Sequence, residues 1–391
     1  LESRLPVVHL FVENVSASES RSGTRCSLFH AGELYDNVEI RVHGQSSAGF
    51  PKKSHNLDFP RDHRFLARTN LARVKDLKLM TNWGDKARVR NTLAYEFIAA
   101  AGSVGHFAWP VRVQRNGQFH AILDLMEDGD DRWMERVGRD PEGALYKVYD
   151  SLASAGGSEK KTRRDEGNGD LQALINALAE SRPLADRARY AFDNLDLPQT
   201  VSYFVALALV SSQDHGHKNF YVYRDTPNTG EWMILPWDVD LSWGRNWIDA
   251  GGYFTDSLYQ NNTLTFYNSA QQAKPGNRLY NLVFQHPEFR RMVLRRLRTV
   301  MDTLLLPTGT PPDQMPIENR IRELVNLLDP LDVATSDAEL DFQKWGSWGN
   351  GNATRAEAQR IIGVHLPGRR TFLFTNPAAT INGEGIPTSQ P

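Results

Sequence analysis

The sequence predicts an α+β protein with two lobes, of which the first is rich in strands and the second is mainly helical. Short apolar segments with the two-residue alternation of β-strands are concentrated before residue 130. Apolar residues with helical spacing predominate after residue 170, and a β-hairpin is predicted near the junction, at 220–238. The predicted boundaries are therefore 1–130 for the first lobe, 131–375 for the second lobe, and 376–391 for a flexible tail or linker.

Strands of the first lobe are predicted where β-branched and aromatic residues cluster between turn residues, at 7–11, 38–42, 53–59, 75–80, 109–115 and 119–125. Asn116 and Gly117 lie between the last two strands. This dipeptide is typical of a two-residue hairpin turn, because both residues tolerate a positive φ angle. A helix is predicted at 86–101, ending before Gly102.

Helices of the second lobe are predicted at 131–137, 197–212, 277–306, 316–328 and 354–365. The segment 151–170 is rich in Gly, Ser and charged residues, which indicates a mobile surface loop. From residue 376 onward Pro, Gly, Ser and Thr predominate, and this composition predicts the tail.

Composition and charge exclude several classes of protein. Hydrophobic residues make up 40% and charged residues 24% of the 391 residues, as in an ordinary globular protein. The formal net charge of -2 provides no field that would attract nucleic acid. The longest apolar run, 201–210, is too short to span a membrane. Cys26 has no partner for an internal disulfide, and a chain that begins with Leu1 leads us to expect that a preceding segment was removed.

The first chemical motif follows the apolar helix predicted at 197–212. Asp214 lies in a loop that contains Gly216, and Asn219 follows five positions later. This D-x-x-x-x-N spacing is that of a protein-kinase catalytic loop. In such a loop the carboxylate accepts the proton of the incoming hydroxyl, and the amide oxygen holds a divalent ion on the phosphates. Taken alone, the spacing is equally compatible with a structural turn, because Asp and Asn are common in loops.

A second acidic motif follows the predicted hairpin, whose return strand leads into Asp238 and Asp240. Kinases use the same order of catalytic loop, hairpin and acidic metal ligand. Mg²⁺ prefers oxygen ligands, so these two carboxylates together with Asn219 predict a magnesium site. A capping or turn role is the alternative for either aspartate.

A small polar loop in the first lobe is suited to binding phosphate. Gly44, Ser46 and Ser47 lie in the segment 44–49, between two predicted strands. Small residues there leave backbone N–H and hydroxyl groups open to a phosphate. A plain tight turn explains the loop equally well.

The strand that follows presents two lysines. By the two-residue period, Lys53 shares a face with apolar residues, whereas Lys52 faces the other way. An inward lysine needs a partner, and Glu96 lies at the edge of the apolar stripe of the helix predicted at 86–101. A Lys53–Glu96 pair is the ion pair with which kinases orient the nucleotide phosphates. The alternative is a surface salt bridge.

The last candidate in the first lobe is a strand-to-helix junction at Met126 and Glu127. In a kinase this position is the hinge, whose backbone bonds the adenine. Together with the order of strands, loops and hairpin, it predicts a nucleotide cleft between the two lobes.

These motifs resemble those of the CotH kinase family. The resemblance covers roughly residues 5–376 and rests on five stretches: G-x-S-S with P-K-K in 44–54, the segment 77–102, the hairpin at 116–117 followed by 124–128, Asp214 with Asn219, and PWDVDLSWG in 236–244. The last stretch is the most specific. Residues 368–370 also resemble the family's closing helix, whereas His43 stands where members usually have Arg.

The resemblance implies a diverged two-lobed protein-kinase-like fold and an atypical kinase, secreted, displayed on the cell surface or associated with a bacterial spore coat. Such a kinase transfers the γ-phosphate of ATP to Ser or Thr hydroxyls of a partner protein, here unidentified, with Mg²⁺ or Mn²⁺. Carried over by position, Asp214 becomes the catalytic aspartate, Asp238 the metal aspartate and Asn219 a second metal ligand. Arg90, and Lys52 of the P-K-K element, are expected near the nucleotide. Neither nucleic acid nor a membrane span is implied.

Two other functions fit parts of the sequence. A pseudokinase-like module that binds nucleotide or a partner at a cell surface would carry the same fold without turnover. A zinc hydrolase would use His215 and His217, which are two positions apart. No further cluster of His and Asp supports the hydrolase.

Overall fold

The computed structural model describes residues 3–245, 277–348 and 354–389. The chain divides into two compact units. The first consists of Leu1–Leu93, His106–Asp128 and Arg320–Arg360, and the second of Ala94–Gly105, Gly129–Asn319 and Ile361–Pro391. The segment Arg320–Arg360 thus belongs to the first unit, whereas the predicted boundary at residue 130 places it in the second lobe. The physical reason is long-range bonding such as that of Asp341, which accepts the backbone N–H of Ile122 at 2.8 Å.

The strands of the first unit are β1 Val7–Val12, β2 Thr24–His30, β3 Glu33–His43, β4 Ser54–Asp58, β5 Asp76–Thr81, β6 Ala108–Arg115 and β7 Gln118–Glu127. They form a closed barrel in the order β1-β2-β3-β4-β5-β7-β6. Neighbouring strands are antiparallel, except for the parallel pair of β1 and β6 that closes the barrel.

The alternation of side chains explains the barrel core. Val8, Leu10 and Val12 of β1 are buried, whereas Phe11 between them is 49% exposed. Buried apolar side chains from all seven strands fill the interior. Asn116 and Gly117 have φ angles of 50° and 82°, so the hairpin predicted between β6 and β7 is confirmed.

Two short helices accompany the barrel strands along the chain, α1 Val15–Ser18 and α2 Arg90–Ala100. Helix α2 begins later than the predicted residue 86. The Asp85 side chain accepts the backbone N–H groups of Ala87, Val89 and Arg90, which holds the preceding residues in a capped turn.

The remaining helices are α3 Asp131–Arg136, α4 Gly169–Ala177, α5 Leu184–Asn194, α6 Leu197–Val210, α7 Arg278–Gln285, α8 Pro287–Val300, α9 Pro316–Leu328, α10 Asp337–Trp345, α11 Thr354–Arg360 and α12 Leu366–Thr375. The mainly helical character predicted for the later part of the chain is thus confirmed. No helix in the described part of the chain has the length and apolar character that crossing a membrane requires.

The second unit also contains a sheet of four strands, β8 Ala144–Val148, β9 Ser158–Lys160, β10 Phe220–Arg224 and β11 Trp232–Pro236. Their order is β11-β10-β8-β9, and all pairs are antiparallel. The hairpin of β10 and β11 is the one predicted at 220–238. The segment 151–170, predicted as a mobile loop, contributes β9, because its backbone pairs with β8 in a regular ladder.

The segment predicted as a flexible tail contains a two-stranded hairpin, β12 Thr380–Ile381 and β13 Glu384–Gly385. It is held by an ion pair between Arg290 of α8 and Glu384, with a distance of 2.9 Å. Ile381 is buried as well. The composition of residues 376–391 predicted a flexible tail, since composition contains no information on contacts with distant residues such as Arg290.

Candidate active site

Helix α6 leads directly into the loop that carries Asp214. The Asp196 side chain caps the helix by accepting the backbone N–H of Gln199 at 2.9 Å, and the helix is apolar and almost entirely buried. It ends at Ser211, which has a left-handed φ of 55° and turns the chain out of the helix. The next residues form the loop that runs to β10.

Asp214 and Asn219 are in direct contact within this loop. The Asn219 amide donates to the Asp214 side chain at 2.8 Å and to the Asp214 backbone carbonyl at 2.9 Å. Asn219 has a left-handed φ of 64°, a conformation that Asn tolerates better than most residues. Because its amide nitrogen is engaged by Asp214, the side-chain oxygen of Asn219 is the atom suited to bind a cation.

Two basic side chains keep Asp214 ionised. His217 Nε2 lies 3.2 Å and Lys218 Nζ 3.5 Å from its carboxylate oxygens. Burial alone would raise the pKa of Asp214, but the hydrogen bond of His217 and the charge of Lys218 outweigh burial and hold the pKa below its ordinary value. At neutral pH Asp214 is therefore a carboxylate, able to accept a hydrogen bond from an incoming hydroxyl.

Asp238 follows β11 at a sharp bend, with a φ of 56°. The backbone N–H of Trp237 donates to the Asn219 carbonyl at 3.2 Å, which ties this bend to the Asp214 loop. The backbone N–H of Asp238 donates to the Tyr95 hydroxyl, also at 3.2 Å.

The negative charge of Asp214 acts on the Asp238 carboxyl group. Burial raises the pKa of Asp238, and the negative charge of Asp214 raises it further. Lys218 and Lys147 counteract this in part. A hydrogen bond with Asp240 also lowers the pKa of Asp238, so Asp240 belongs to the same group.

The donor set of these residues fits a divalent cation. Carboxylates of Asp238 and Asp240 and the amide oxygen of Asn219 are oxygen ligands of the kind that Mg²⁺ binds while it keeps several waters. The charge repulsion between Asp214 and Asp238 is what a bound cation would relieve. In residues 3–245, 277–348 and 354–389, no three His, Cys, Asp or Glu side chains are already arranged as metal ligands.

The predicted phosphate loop is a tight turn on the first unit. Gly44 has a φ of 97°, and a Cβ atom built there would lie 2.1 Å from Ser47 Oγ, so the turn itself accounts for this glycine. Ser46 begins a short 3₁₀ turn, Ser46–Gly49, and is exposed. Binding of phosphate by Gly44, Ser46 and Ser47 stays a prediction.

The structure reverses the orientation predicted for the two lysines. Lys52 is 1% exposed, and its Nζ atom lies 2.7 Å from Asp341, whereas the partly exposed Lys53 donates to the Glu19 carbonyl at 3.2 Å. Both residues precede β4, so the strand period does not extend to them. Burial lowers the pKa of Lys52 to about 8, although the charge of Asp341 opposes the shift. Glu96 is partly buried on α2, and its pairing with Lys53 stays a prediction.

Arg90 is fully buried at the start of α2. Its guanidinium forms ion pairs with Asp85 and, at 2.8 Å, with Glu357. These two carboxylates give Arg90 a structural role in the first unit. Its contact with phosphate stays a prediction.

Met126 and Glu127 lie inside β7 rather than after it, and both are 2% exposed. Met126 is opposite Lys78 of β5 and Ala108 of β6, so its backbone lies between two strands. The Glu127 carboxylate accepts the backbone N–H of Phe107 at 2.8 Å. Adenine binding at these two residues stays a prediction, and the barrel ladder already occupies this backbone.

Three residues at the site were missed from the sequence, namely Lys147, Lys218 and Tyr95. Lys147 is buried in β8, with Nζ 4.3 Å from the centre of the Trp237 ring. A lysine in the middle of the apolar strand Ala144–Val148 was the available signal. Lys218, directly before Asn219, could have been found from its place in the loop. Tyr95 lies in the segment 77–102 that carries part of the family resemblance, but its contact with Asp238 depends on a residue 143 positions later.

The comparisons with known proteins identify the family of this chain. The sequence model of the family described as CotH kinase protein matches residues 40–370, a span that includes Asp214, Asn219 and Asp238. The chain belongs to the CotH kinase family. Membership implies kinase activity, and hence use of ATP, at the level of the family.

Two proteins similar to this chain are both bacterial. The inner spore coat protein H of Bacillus subtilis (strain 168) is 23% identical over 363 residues, which cover 87% of this chain and 94% of that protein. A crystal structure of the Helicobacter pylori proinflammatory kinase CtkA is similar over 90% of this chain and 91% of that one, with 12% identity and a TM-score of 0.33.

Proposed function

We propose that this CotH kinase family member is a protein kinase that transfers the γ-phosphate of ATP to Ser or Thr hydroxyls of a partner protein with the help of Mg²⁺ or Mn²⁺. The observation that supports this most is the position of Asn219, whose side chain donates to Asp214 at 2.8 Å and whose carbonyl accepts the backbone N–H of Trp237, the residue before Asp238, at 3.2 Å. Family membership supports the use of ATP.

Each residue of the group has a role in this proposal. The ionised Asp214 orients the acceptor hydroxyl and takes its proton. Asn219, Asp238 and Asp240 hold the cation, which when bound neutralises charge on the phosphates. The Asn219 amide donates to Asp214 and so keeps the base beside the metal ligands. Lys218, whose side chain is 34% exposed, supplies positive charge 3.5 Å from the Asp214 carboxylate.

Label transfer from γ-³²P-ATP tests the proposal. Purified protein with Mg²⁺ or Mn²⁺ should label itself or casein as a generic acceptor, and Asp214→Asn and Asp238→Asn should abolish labelling. Asp193→Asn is the matched control, because Asp193 is an exposed aspartate on α5 of the same unit. Absence of labelling with either ion, or equal labelling by all variants, would reject the proposal.

The two alternatives have distinct signatures. A pseudokinase would show a rise in melting temperature with ATP and Mg²⁺ but no label transfer. A zinc hydrolase is disfavoured by the separate partners of the histidines, since His215 Nδ1 lies 2.8 Å from the Tyr280 hydroxyl and His217 contacts Asp214. Similarity to a spore coat protein supports a location in a spore coat or on a bacterial surface.

A further inference from the structure

Behind the Asp214 loop lies a chain of buried polar groups that the proposed chemistry does not use. The Tyr203 hydroxyl of α6 and the Tyr280 hydroxyl of α7 are 2.8 Å apart, and the Tyr280 hydroxyl lies 2.8 Å from His215 Nδ1. Both tyrosines are fully buried and His215 is 5% exposed. This row of hydrogen-bonded side chains therefore ends at His215, the residue that directly follows Asp214.

The N-terminus of α7 makes a second contact with the same loop. The buried Asn277 side chain caps α7 by accepting the backbone N–H of Tyr280 at 3.2 Å. Its amide nitrogen donates to the Gly216 carbonyl at 2.8 Å. Two successive loop residues, His215 and Gly216, are thus held by the first turn of α7.

We propose that Tyr280 is a positioning residue for phosphoryl transfer, which holds the Asp214 carboxylate in place through the ring of His215. This inference rests on the proposed function. A catalytic carboxylate has to stay within about 0.5 Å of its productive position, and a loop between a helix end and a strand has few backbone bonds to fix it. The contacts from Tyr280 and Asn277, at the first turn of α7, supply that constraint.

Two matched substitutions separate positioning from stability. Tyr280→Phe and Tyr203→Phe each remove one hydroxyl from a fully buried ring, and the two hydroxyls contact each other. Only Tyr280 of these two is bonded to the His215 ring in the described structure. Because the Tyr280 hydroxyl contacts both His215 and Tyr203, whereas the Tyr203 hydroxyl contacts Tyr280, we expect a somewhat larger loss of melting temperature in Tyr280→Phe than in Tyr203→Phe. In Tyr280→Phe, kcat for label transfer should fall at least about tenfold, and KM for ATP should not change. The physical reason is displacement of the Asp214 carboxylate, since a displacement of about 1 Å costs roughly a hundredfold in rate. In Tyr203→Phe kcat should change less than about twofold.

Hydrogen–deuterium exchange gives a readout that does not depend on activity. Amides of residues 212–219 should exchange faster in Tyr280→Phe than in Tyr203→Phe or the unaltered protein. Unchanged exchange in Tyr280→Phe, or an equal fall of kcat in both variants, would overturn the positioning role. If label transfer persists unchanged in Tyr280→Phe but is lost in Asp214→Asn, this inference fails and the proposed function stands. If the unaltered protein transfers no label, both fail.

Discussion

Replacing Lys52 by Met should destabilise the first unit strongly, whereas the same change at the adjacent Lys53 should not. Lys52 Nζ lies 2.7 Å from Asp341, and it also donates to the Asn82 side chain at 2.6 Å and to the Ile122 carbonyl at 3.1 Å. All of these groups are buried. Methionine keeps much of the length of the lysine stem, so the substitution removes mainly the charge and its three bonds.

The expected magnitude follows from what Lys52→Met leaves behind. Removing one partner of a buried ion pair typically costs about 3–5 kcal/mol, because the other charge remains buried. Arg88 stays beside Asp341, with Nε at 3.0 Å, which favours the lower end of that range. Lys53 is partly exposed and donates to a backbone carbonyl, so Lys53→Met should cost less than about 1 kcal/mol.

Equilibrium urea denaturation at pH 7, followed by far-UV circular dichroism, measures both free energies of unfolding. A midpoint for Lys53→Met at or below that of Lys52→Met would refute the assignment of Lys52 as the structural lysine. The same two proteins test the prediction that Lys53 contacts the nucleotide phosphates. If it does, Lys53→Met should reduce the rise in melting temperature that ATP and Mg²⁺ produce.

Three further predictions concern the site, a buried acid and a close packing contact. Lys218→Ala should lower kcat for label transfer about tenfold with little change in melting temperature, and Lys218→Arg should restore part of it; equal kcat in all three proteins would contradict a role for this charge. Burial raises the pKa of Asp124 from 3.8 to about 7, so between these values the folded state binds a proton that the unfolded state does not. Stability should therefore fall as pH rises through this window, and Asp124→Asn should remove that slope in urea titrations at several pH values. A Cβ atom on Gly129 would lie 2.2 Å from the buried Tyr221 ring, so Gly129→Ala should cost about 1–3 kcal/mol, whereas Gly49→Ala, with open space around it, should be nearly neutral in thermal denaturation.

Features that depend on neighbouring residues could be predicted from the sequence. The turn of Asn116 and Gly117 needs only the φ preferences of two residues, and it forms as expected. Asp214 and Asn219 lie in one loop, five positions apart, so their contact is set locally. The buried character of α6 also follows from its own apolar residues.

Features that depend on distant residues could not be predicted. Lys52 is buried because Asp341, 289 positions later, pairs with it, and Arg90 is buried against Glu357, 267 positions later. A strand period describes which face a side chain occupies, but it contains no information on where a distant carboxylate will lie. For this reason the sequence predicts Lys53 as the inward lysine of the first lobe, whereas the buried one is Lys52.

By itself the sequence determined the α+β class, the hairpins at 116–117 and 220–238, the family and the two acidic motifs, because each is a matter of local pattern. Only the tertiary structure decided that the strands close into a barrel and that the charge of Asp214 raises the pKa of Asp238. It also decided that Tyr280 of α7 contacts the Asp214 loop at His215. The reason is physical: charges and hydrogen bonds act over a few ångströms in space, and the chain brings together groups whose distance along the sequence does not specify their separation.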